Sequence, residues 1–477
     1  MAQLLKTIEA FLNNITTEVN DALYGYVLII LLVLGGLYFT VRTKFVQFRL
    51  LGEQFRAVTE KPTDGKGVSS FQALMVSTAS RVGTGNIIGV STAICLGGFG
   101  AIFWMWVIAI IGAASAFVES TLAQIYKKKG EDSRSYGGPA YYIESGLKNR
   151  TLAVIFSVLL VITYGVGFNM LASYNLQSTF SGYNFYNPEI TPWLIGVVLA
   201  VVVGICLFGG GKRIIRVTSF LVPFMGVAYI LVALVIVALN ITSLPGVLAR
   251  VFSDAFDITA IFGGFSGSCV MYGIKRGLFS NEAGVGSAPN ASASADVEHP
   301  VKQGLVQVLS VFIDTLLVCS ATAFLCVCSG VEPTAELSGA PYVQAALSTT
   351  LGAFGSIFIT IAMILFAFTT LIGNLYYVDQ CIYHLLGHKP GKLFKTIYYI
   401  VASLVILLGA GLSAGLLWNI ADITMGAMTL INIPVIFILS KYVVKALKDY
   451  EVQRKAGKKP VFKAENINLP DKVDYWQ

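Results

Sequence analysis

The chain has little charge. Of its 477 residues, 12% are Asp, Glu, Lys or Arg and 55% are hydrophobic, whereas an ordinary soluble domain is about one quarter charged. That deficit excludes a water-soluble globular protein and fits a mean hydropathy of +0.73. Histidine is scarcer still, with three residues, His299, His384 and His388, at or near the ends of apolar runs. Serine chemistry at membrane depth needs a base beside the nucleophile, so Gly264-Phe265-Ser266-Gly267 is not read as a protease motif. No GxxxxGK[ST] loop occurs, which argues against an ATP-driven pump. No sizeable polar block follows the last apolar run, which argues against a receptor with a soluble signalling domain. The first 20 residues are polar and mixed, without a cleavable leader pattern, so the first apolar run is expected to stay in the mature protein. The seven cysteines (95, 206, 269, 319, 326, 328 and 381) show no metal-type spacing and read as small packing residues.

What the chain has is long apolar runs. Eleven of them, at about 22–41, 70–97, 99–126, 151–181, 191–209, 214–240, 256–279, 301–328, 354–380, 394–411 and 414–440, can cross ~30 Å of hydrocarbon as helices. The net charge of +7 takes its meaning from where the cations lie. Basic clusters at 42–69, 127–150, 212–216, 275–302 and 389–395, with the tail from Lys441, hold 30 of the 33 Lys and Arg. Eleven crossings put all of these on one side, so the positive-inside rule predicts an outside N-terminus and a cytoplasmic C-terminus. The basic tail is expected along anionic headgroups, with no nucleic-acid partner.

Two of the runs are poor membrane anchors. Span two carries Ser80-Arg81-Val82-Gly83-Thr84-Gly85-Asn86 at its middle. Gly costs roughly 1 kcal/mol relative to Ala inside a helix, and Arg at bilayer depth costs at least ~2.5 kcal/mol. Span seven carries Gly263-Gly264-Phe265-Ser266-Gly267-Ser268, followed by Met271, Tyr272 and Gly273. The two spans run in opposite directions, five apart, and this suggests inverted five-helix repeats with span one as an extra. Interrupted helices in inverted halves point to a transporter's binding site. The half-helix after a break offers N–H groups and a positive dipole end to a carboxylate. The half-helix before it offers carbonyls to a cation. A zwitterionic amino acid satisfies both, with Gly83 and Gly85 allowing close approach.

Several blocks carry a family resemblance. FQALMVSTASRVGTGNIIGV (71–90), GGFGAIFWMW (97–106), GGPAYY (137–142), IKRGLFSNEAGVGSAP (274–289) and WNIAD (418–422) closely resemble the prokaryotic alanine or glycine:cation symporters, over nearly the whole chain. The resemblance implies sodium-coupled uptake of a small amino acid through the LeuT-like fold of the APC superfamily. It places a sodium ion near Ala79 and Val82 of span two and near Phe366, Thr369 and Thr370 of span nine. Oxygen ligands of this kind suit a hard cation. Thr369 and Thr370 also have the option of bonding back to their own helix. The chain departs from the family's span-four pattern, with Ala172 for Gln and Tyr174 for Asn, and from the span-nine pattern, with Asn374 for Trp. Glycine, serine and glutamine therefore stand beside alanine as substrates.

The expected architecture is an all-α integral membrane protein of eleven transmembrane helices in a LeuT-like 5+5 inverted repeat. Residues 1–69 form the extra first helix and a basic linker, 70–240 the first repeat, 241–440 the second repeat and 441–477 the basic cytoplasmic tail. The substrate carboxylate is expected at Gly83, Thr84, Gly85 and Asn86, and the ammonium at Gly267 and Ser268. The side chain is expected among Asn169, Ala172, Met271, Tyr272, Gly273 and Asn374. Arg81 needs a buried partner to offset its desolvation, with Asp314 first and Glu119 or Glu282 behind. The expected function is a sodium-driven, alternating-access importer in the cell membrane. Its partners are a small amino acid and the bilayer, sodium is the co-transported ion, no organic cofactor is used, and the oligomeric state is left open, with a monomer allowed. Proton coupling through Asp314 is the alternative, and a channel is a weaker one.

Overall fold

The computed structural model describes residues 2–62, 67–131, 134–257 and 268–477, with side chains from residue 11 onward. The chain is almost wholly helical. In order come α1 (Ala2–Ala22), α2 (Leu28–Arg42), α3 (Val46–Arg49), α4 (Leu51–Thr59), α5 (Ser70–Arg81), α6 (Val90–Gly97) and α7 (Gly100–Ile125). A two-stranded ribbon, β1 (Lys128–Lys129) against β2 (Ser135–Tyr136), leads to α8 (Pro139–Gly146). Then follow α9 (Arg150–Ile162), α10 (Phe168–Ser178), α11 (Thr191–Leu207), α12 (Gly210–Leu239) and α13 (Leu244–Ala255). Beyond these lie α14 (Cys269–Asn281), α15 (Pro289–Ser292), α16 (Pro300–Val311) and α17 (Ser320–Val327). The last four are α18 (Ala340–Leu351), α19 (Ala353–Leu386), α20 (Lys392–Gly409) and α21 (Ala414–Lys455). Among the described residues, eight helical stretches are long and apolar enough to cross a membrane, and the shorter apolar helices 85–97 and 191–207 fall at two further expected spans.

Local chemistry sets the helix starts. Ser69 Oγ accepts from Gln72 N–H (3.1 Å) while Gln72 Oε1 accepts from Ser69 N–H (2.9 Å), a reciprocal cap that fixes where α5 begins. Asn149 caps α9 and Ser268 caps α14. Pro opens α15, α16 and α18, where its missing N–H has no helical partner to lose.

Burial sorts the helices into layers. Helices α5, α7, α14, α16 and α19 are buried on most of their surface. Helices α11, α12 and α20 instead expose Leu194, Val198, Ile205, Phe220, Phe224, Leu231, Ile397, Ile400 and Leu404. An apolar outer belt around a polar-lined centre is the inverse of a soluble protein, and it is what a bilayer solvates. The basic tail packs against the protein itself. Helix α21 continues to Lys455, and the segment beyond it folds back onto the protein, burying Phe462, Ile467, Val473 and Trp476.

Candidate functional site between two interrupted helices

Helix α5 ends at Arg81, and the backbone leaves the helical region at Val82 (φ −77°, ψ 86°). Gly83 N–H turns to the Asn86 side chain (Oδ1, 2.8 Å). The helix resumes through a π turn, Gly85–Gly89, into α6. The expected interruption of span two is therefore present. Its glycines make room for neighbours. A Cβ at Gly83 would fall 1.8 Å from Thr370 Oγ1, and one at Gly85 would fall 2.8 Å from the Phe279 ring.

The Gly263–Gly267 run, with Gly267 itself, is outside the described residues. Ser268 is the N-cap of α14 and accepts from Met271 N–H. Gly273 packs against the Ala101 carbonyl and Trp104, Met271 is buried in the core, and Tyr272 lies against Gly97. Helix α14 breaks only after Asn281, where Glu282, Gly284 and Gly286 adopt φ of +53°, +87° and +89°. Left-handed backbone cannot continue a helix, so this is where α14 ends. A further unwound segment, beyond the expected Gly267, Ser268, Met271 and Gly273, thus lies at 282–286.

The two interruptions face each other. Ser80 Oγ lies 3.0 Å from Glu282 Oε1 and 2.6 Å from Asn374 Oδ1, and Asn374 Nδ2 donates to Asn169 Oδ1 (2.9 Å). The expected pair Asn169 and Asn374 is thus brought together beside the first break. Ser287 Oγ donates to Glu282 Oε2 (2.6 Å). A second strand of contacts runs through Asn86, whose Nδ2 donates to Asp314 Oδ1 (2.7 Å) and to Ser280 Oγ (3.0 Å). Ser280 and Thr315 both donate to Asp314 Oδ2 (2.8 Å each). Cys319 touches Ser280 and Asn86, so this cysteine belongs to the polar network as well as to the packing. Ala172 is buried in α10, but Asn175 is the residue that reaches Thr84 Oγ1 (3.2 Å).

Arg81 and Asp314 are not an ion pair. Arg81 Nη1 donates to Gln307 Oε1 (2.9 Å), and its Nε and Nη2 are buried without a hydrogen-bond partner among the described residues. The three carboxylates of Glu119, Glu282 and Asp314 are each held by other donors. The physical reason is local saturation. Asp314 already accepts three side-chain hydrogen bonds, so its charge is solvated without the guanidinium.

The sodium residues divide. Thr370 Oγ1 is buried, unpartnered among the described residues, and aimed at the first break beside Gly83. Thr369 Oγ1 bonds back to Leu365 O (2.9 Å) and Phe366 O (3.1 Å), a self-satisfied helix hydroxyl. Gly373 lets α19 approach closely, since a Cβ there would sit 2.8 Å from Ser80 N and 3.2 Å from Ala79 C. An orphaned hydroxyl beside Gly83, next to the point where the backbone leaves the helix at Val82, is an oxygen that fits a small cation.

An aromatic layer covers the first break. The Phe279 ring lies 4.7 Å from Phe168 and 4.8 Å from Trp418, and the Arg276 guanidinium sits 4.0 Å over the Trp418 ring. Asp422 pairs with Arg276 (2.7 Å) and Lys275 (3.1 Å). Beyond this layer is a cavity of about 540 Å³, lined by Thr17 and Asn20 of α1, Tyr272, Lys275, Arg276 and Trp418. Lys275 and Arg276, counted above with the basic face, therefore lie toward the N-terminal helix.

The comparisons with known proteins agree with this architecture. A family model described as the sodium:alanine symporter family matches residues 9–464. The amino-acid carrier protein AlsT of Bacillus subtilis is 44% identical, over 98% of this chain and 99% of its own length. The probable sodium/glutamine symporter GlnT of the same organism is 45% identical, over 98% and 97%. The crystal structure of MhsT in complex with L-phenylalanine is similar in fold, with a TM-score of 0.58 at 15% identity over 82% of this chain and 93% of that one. With its apolar helices, LeuT-like fold and matching family model, the chain belongs to the sodium:alanine symporter family and is a membrane transporter, not an enzyme.

Proposed function

We propose that the protein imports a small neutral amino acid, alanine or glycine with serine and glutamine as close alternatives, driven by a sodium gradient. The single observation that carries this reading is the facing of the two interruptions, joined by Ser80–Glu282 and Asn86–Ser280 contacts. The substrate carboxylate sits against the backbone of Gly83–Asn86, where free N–H groups and the start of α6 favour an anion. Its ammonium sits toward the second interruption, where carbonyls and the Glu282 carboxylate favour a cation. Asn169 and Asn374 line the side-chain end. Sodium binds between Ala79, Val82, the Phe366 carbonyl and Thr370, with Thr370 supplying the side-chain oxygen.

In this reading the eleven apolar segments all cross the membrane, with the N-terminus outside and the tail cytoplasmic. Spans two to six and seven to eleven form the inverted repeats, and each interrupted helix opens one repeat. Arg276, Asp422 and the Phe279–Trp418 layer then separate an outer vestibule from the site, and alternating access requires that layer to part.

Proton coupling is the second reading, and one observation favours it. Glu119, Glu282 and Asp314 gather about a single buried cation, Arg81, and intramembrane carboxylates serve as relays in other carriers. The test is uptake of labelled Ala, Gly, Ser and Gln into proteoliposomes under an imposed sodium gradient, an imposed pH gradient or neither. Accumulation driven by sodium alone supports the first reading. Accumulation driven by pH alone replaces it with the second, and gradient-independent equilibration rejects both.

A further inference from the structure

The segment after α21 is bound to the protein at several separate places. Phe462 N–H donates to Glu298 O (2.9 Å), and Lys459 pairs with the Glu298 carboxylate (2.7 Å). Asp471 pairs with Lys148 (2.5 Å) and accepts from Tyr126 OH (3.0 Å). Asp474 pairs with Lys128 and accepts from Lys129 N–H. Trp476 closes the loop. Its Nε1 donates to Gln124 O (2.8 Å), and its carbonyl accepts from Ala464 N–H (2.8 Å).

What lies beneath gives these contacts a function. The Gln124 side chain donates to Ser292 O (2.6 Å) and Ala295 O (3.0 Å). These residues begin the link from the second interruption to α16. The same link meets the start of span two, because Asp296 N–H donates to Val68 O (2.8 Å). The tail therefore ties together the end of α7, the β1–β2 ribbon and the parts of both interrupted spans that reach this face. The 540 Å³ cavity lies toward the opposite end.

We propose that residues 456–477 are a latch that holds the tail-bearing face closed and must undock before the carrier opens there. This rests on the alternating-access reading. Buried apolar anchors at Phe462, Val473 and Trp476 give it adhesion, and the Asp471–Lys148 and Asp474–Lys128 pairs give it register. Release frees Glu298 and Gln124, and with them the link that follows the second interruption.

The test reads access rather than transport. Ser292→Cys is treated in tail-side-out vesicles with a membrane-impermeant maleimide, and alkylation at that site is followed by mass spectrometry. Deleting 461–477 should speed alkylation roughly fivefold or more, the usual size of a coupling between two states. Asp471→Lys and Lys148→Asp should each act in the same direction, and the double reversal Lys148→Asp/Asp471→Lys should return the slow rate. The charge reversals keep the test alive if the truncated chain does not fold. Unchanged alkylation in both single reversals, or failure of the double reversal to restore it, overturns the latch. Because no uptake is measured, a failed uptake assay with the unaltered protein would count against the transport reading alone.

Discussion

At the first interruption glycine supplies room, and at the second it supplies backbone shape. Gly83 and Gly85 have ordinary φ, and a side chain on either would strike Thr370 or Phe279. Gly284 and Gly286 sit at φ near +90°, and Glu282 shares the left-handed region without glycine's freedom. A non-glycine residue held there carries of order 1–2 kcal/mol of strain, and such strain concentrates where structure serves function. At the first break the glycines answer to their neighbours alone, and at the second to backbone angle and neighbours together. The two should fail differently when mutated.

The largest expected effect is at the first break. Gly85→Leu should lower uptake at least ~100-fold, the scale at which small misplacements abolish chemistry or transport, while the protein still inserts into membranes. Wild-type uptake would remove the first interruption from the pathway. The second break can be split into shape and chemistry. Gly284→Ala forces a Cβ to within 2.7 Å of Ile433 at positive φ, and should lower both the Tm in detergent and the uptake, the latter roughly tenfold. Glu282→Gly relieves the strain, so the Tm should hold or rise while uptake still falls roughly tenfold, because the carboxylate facing Ser80 is lost. Equal loss of Tm in both variants would mean that Glu282 is only structural.

The hydroxyl pair gives a finer comparison. Thr370→Val should raise the sodium concentration for half-maximal uptake about tenfold, as expected for removing one oxygen from a cation. Thr369→Val should move it less than about twofold. Equal effects would put both residues, or neither, on the ion.

The smallest effect concerns the tail. Lys127, just past the end of α7, is covered by the Tyr475 and Trp476 rings and donates to Ala295 O (2.9 Å). Burial pushes its amine down to about 7, and the Asp296 charge partly opposes this. Lys128, Asp474 and Tyr475 are the other titratable groups around it. Once uncovered, Lys127 returns toward the ordinary lysine value near 10.5, so the docked tail binds fewer protons than the free one. Docking therefore weakens as pH falls from about 10 to about 7 and is flat below that. Alkylation of Ser292→Cys, normalised to a free thiol, should slow as the pH is raised from 7 to 9, and Lys127→Met should flatten the trend.

The first interruption was readable in the sequence because Gly-Thr-Gly-Asn at membrane depth breaks the rules of a plain span and Asn86 supplies the hydrogen bond that stabilises the turn. The capping pair Ser69 and Gln72 marks the start of α5 equally well. Asn169 and Asn374, widely separated in the chain, meet at 2.9 Å. The left-handed segment at 282–286 was not read from the sequence, because glycine density does not say whether a glycine provides space or conformation. Gly263–Gly267 is the denser run and lies outside the described residues; among those described, left-handed angles fall at 282–286. Counting charges suggested a carboxylate for Arg81, but Gln307, positioned by tertiary packing, takes its Nη1 instead. In the tail the apolar anchors follow no helical period, so only the excess of lysine was visible.

The most direct measurement is a cryo-EM map of the protein in nanodiscs with alanine and sodium present. The account predicts amino-acid density within hydrogen-bonding distance of both Gly83–Asn86 and Glu282–Gly286, with an ion beside Thr370 Oγ1. Density bound elsewhere, or a helix running unbroken through either segment, would contradict it.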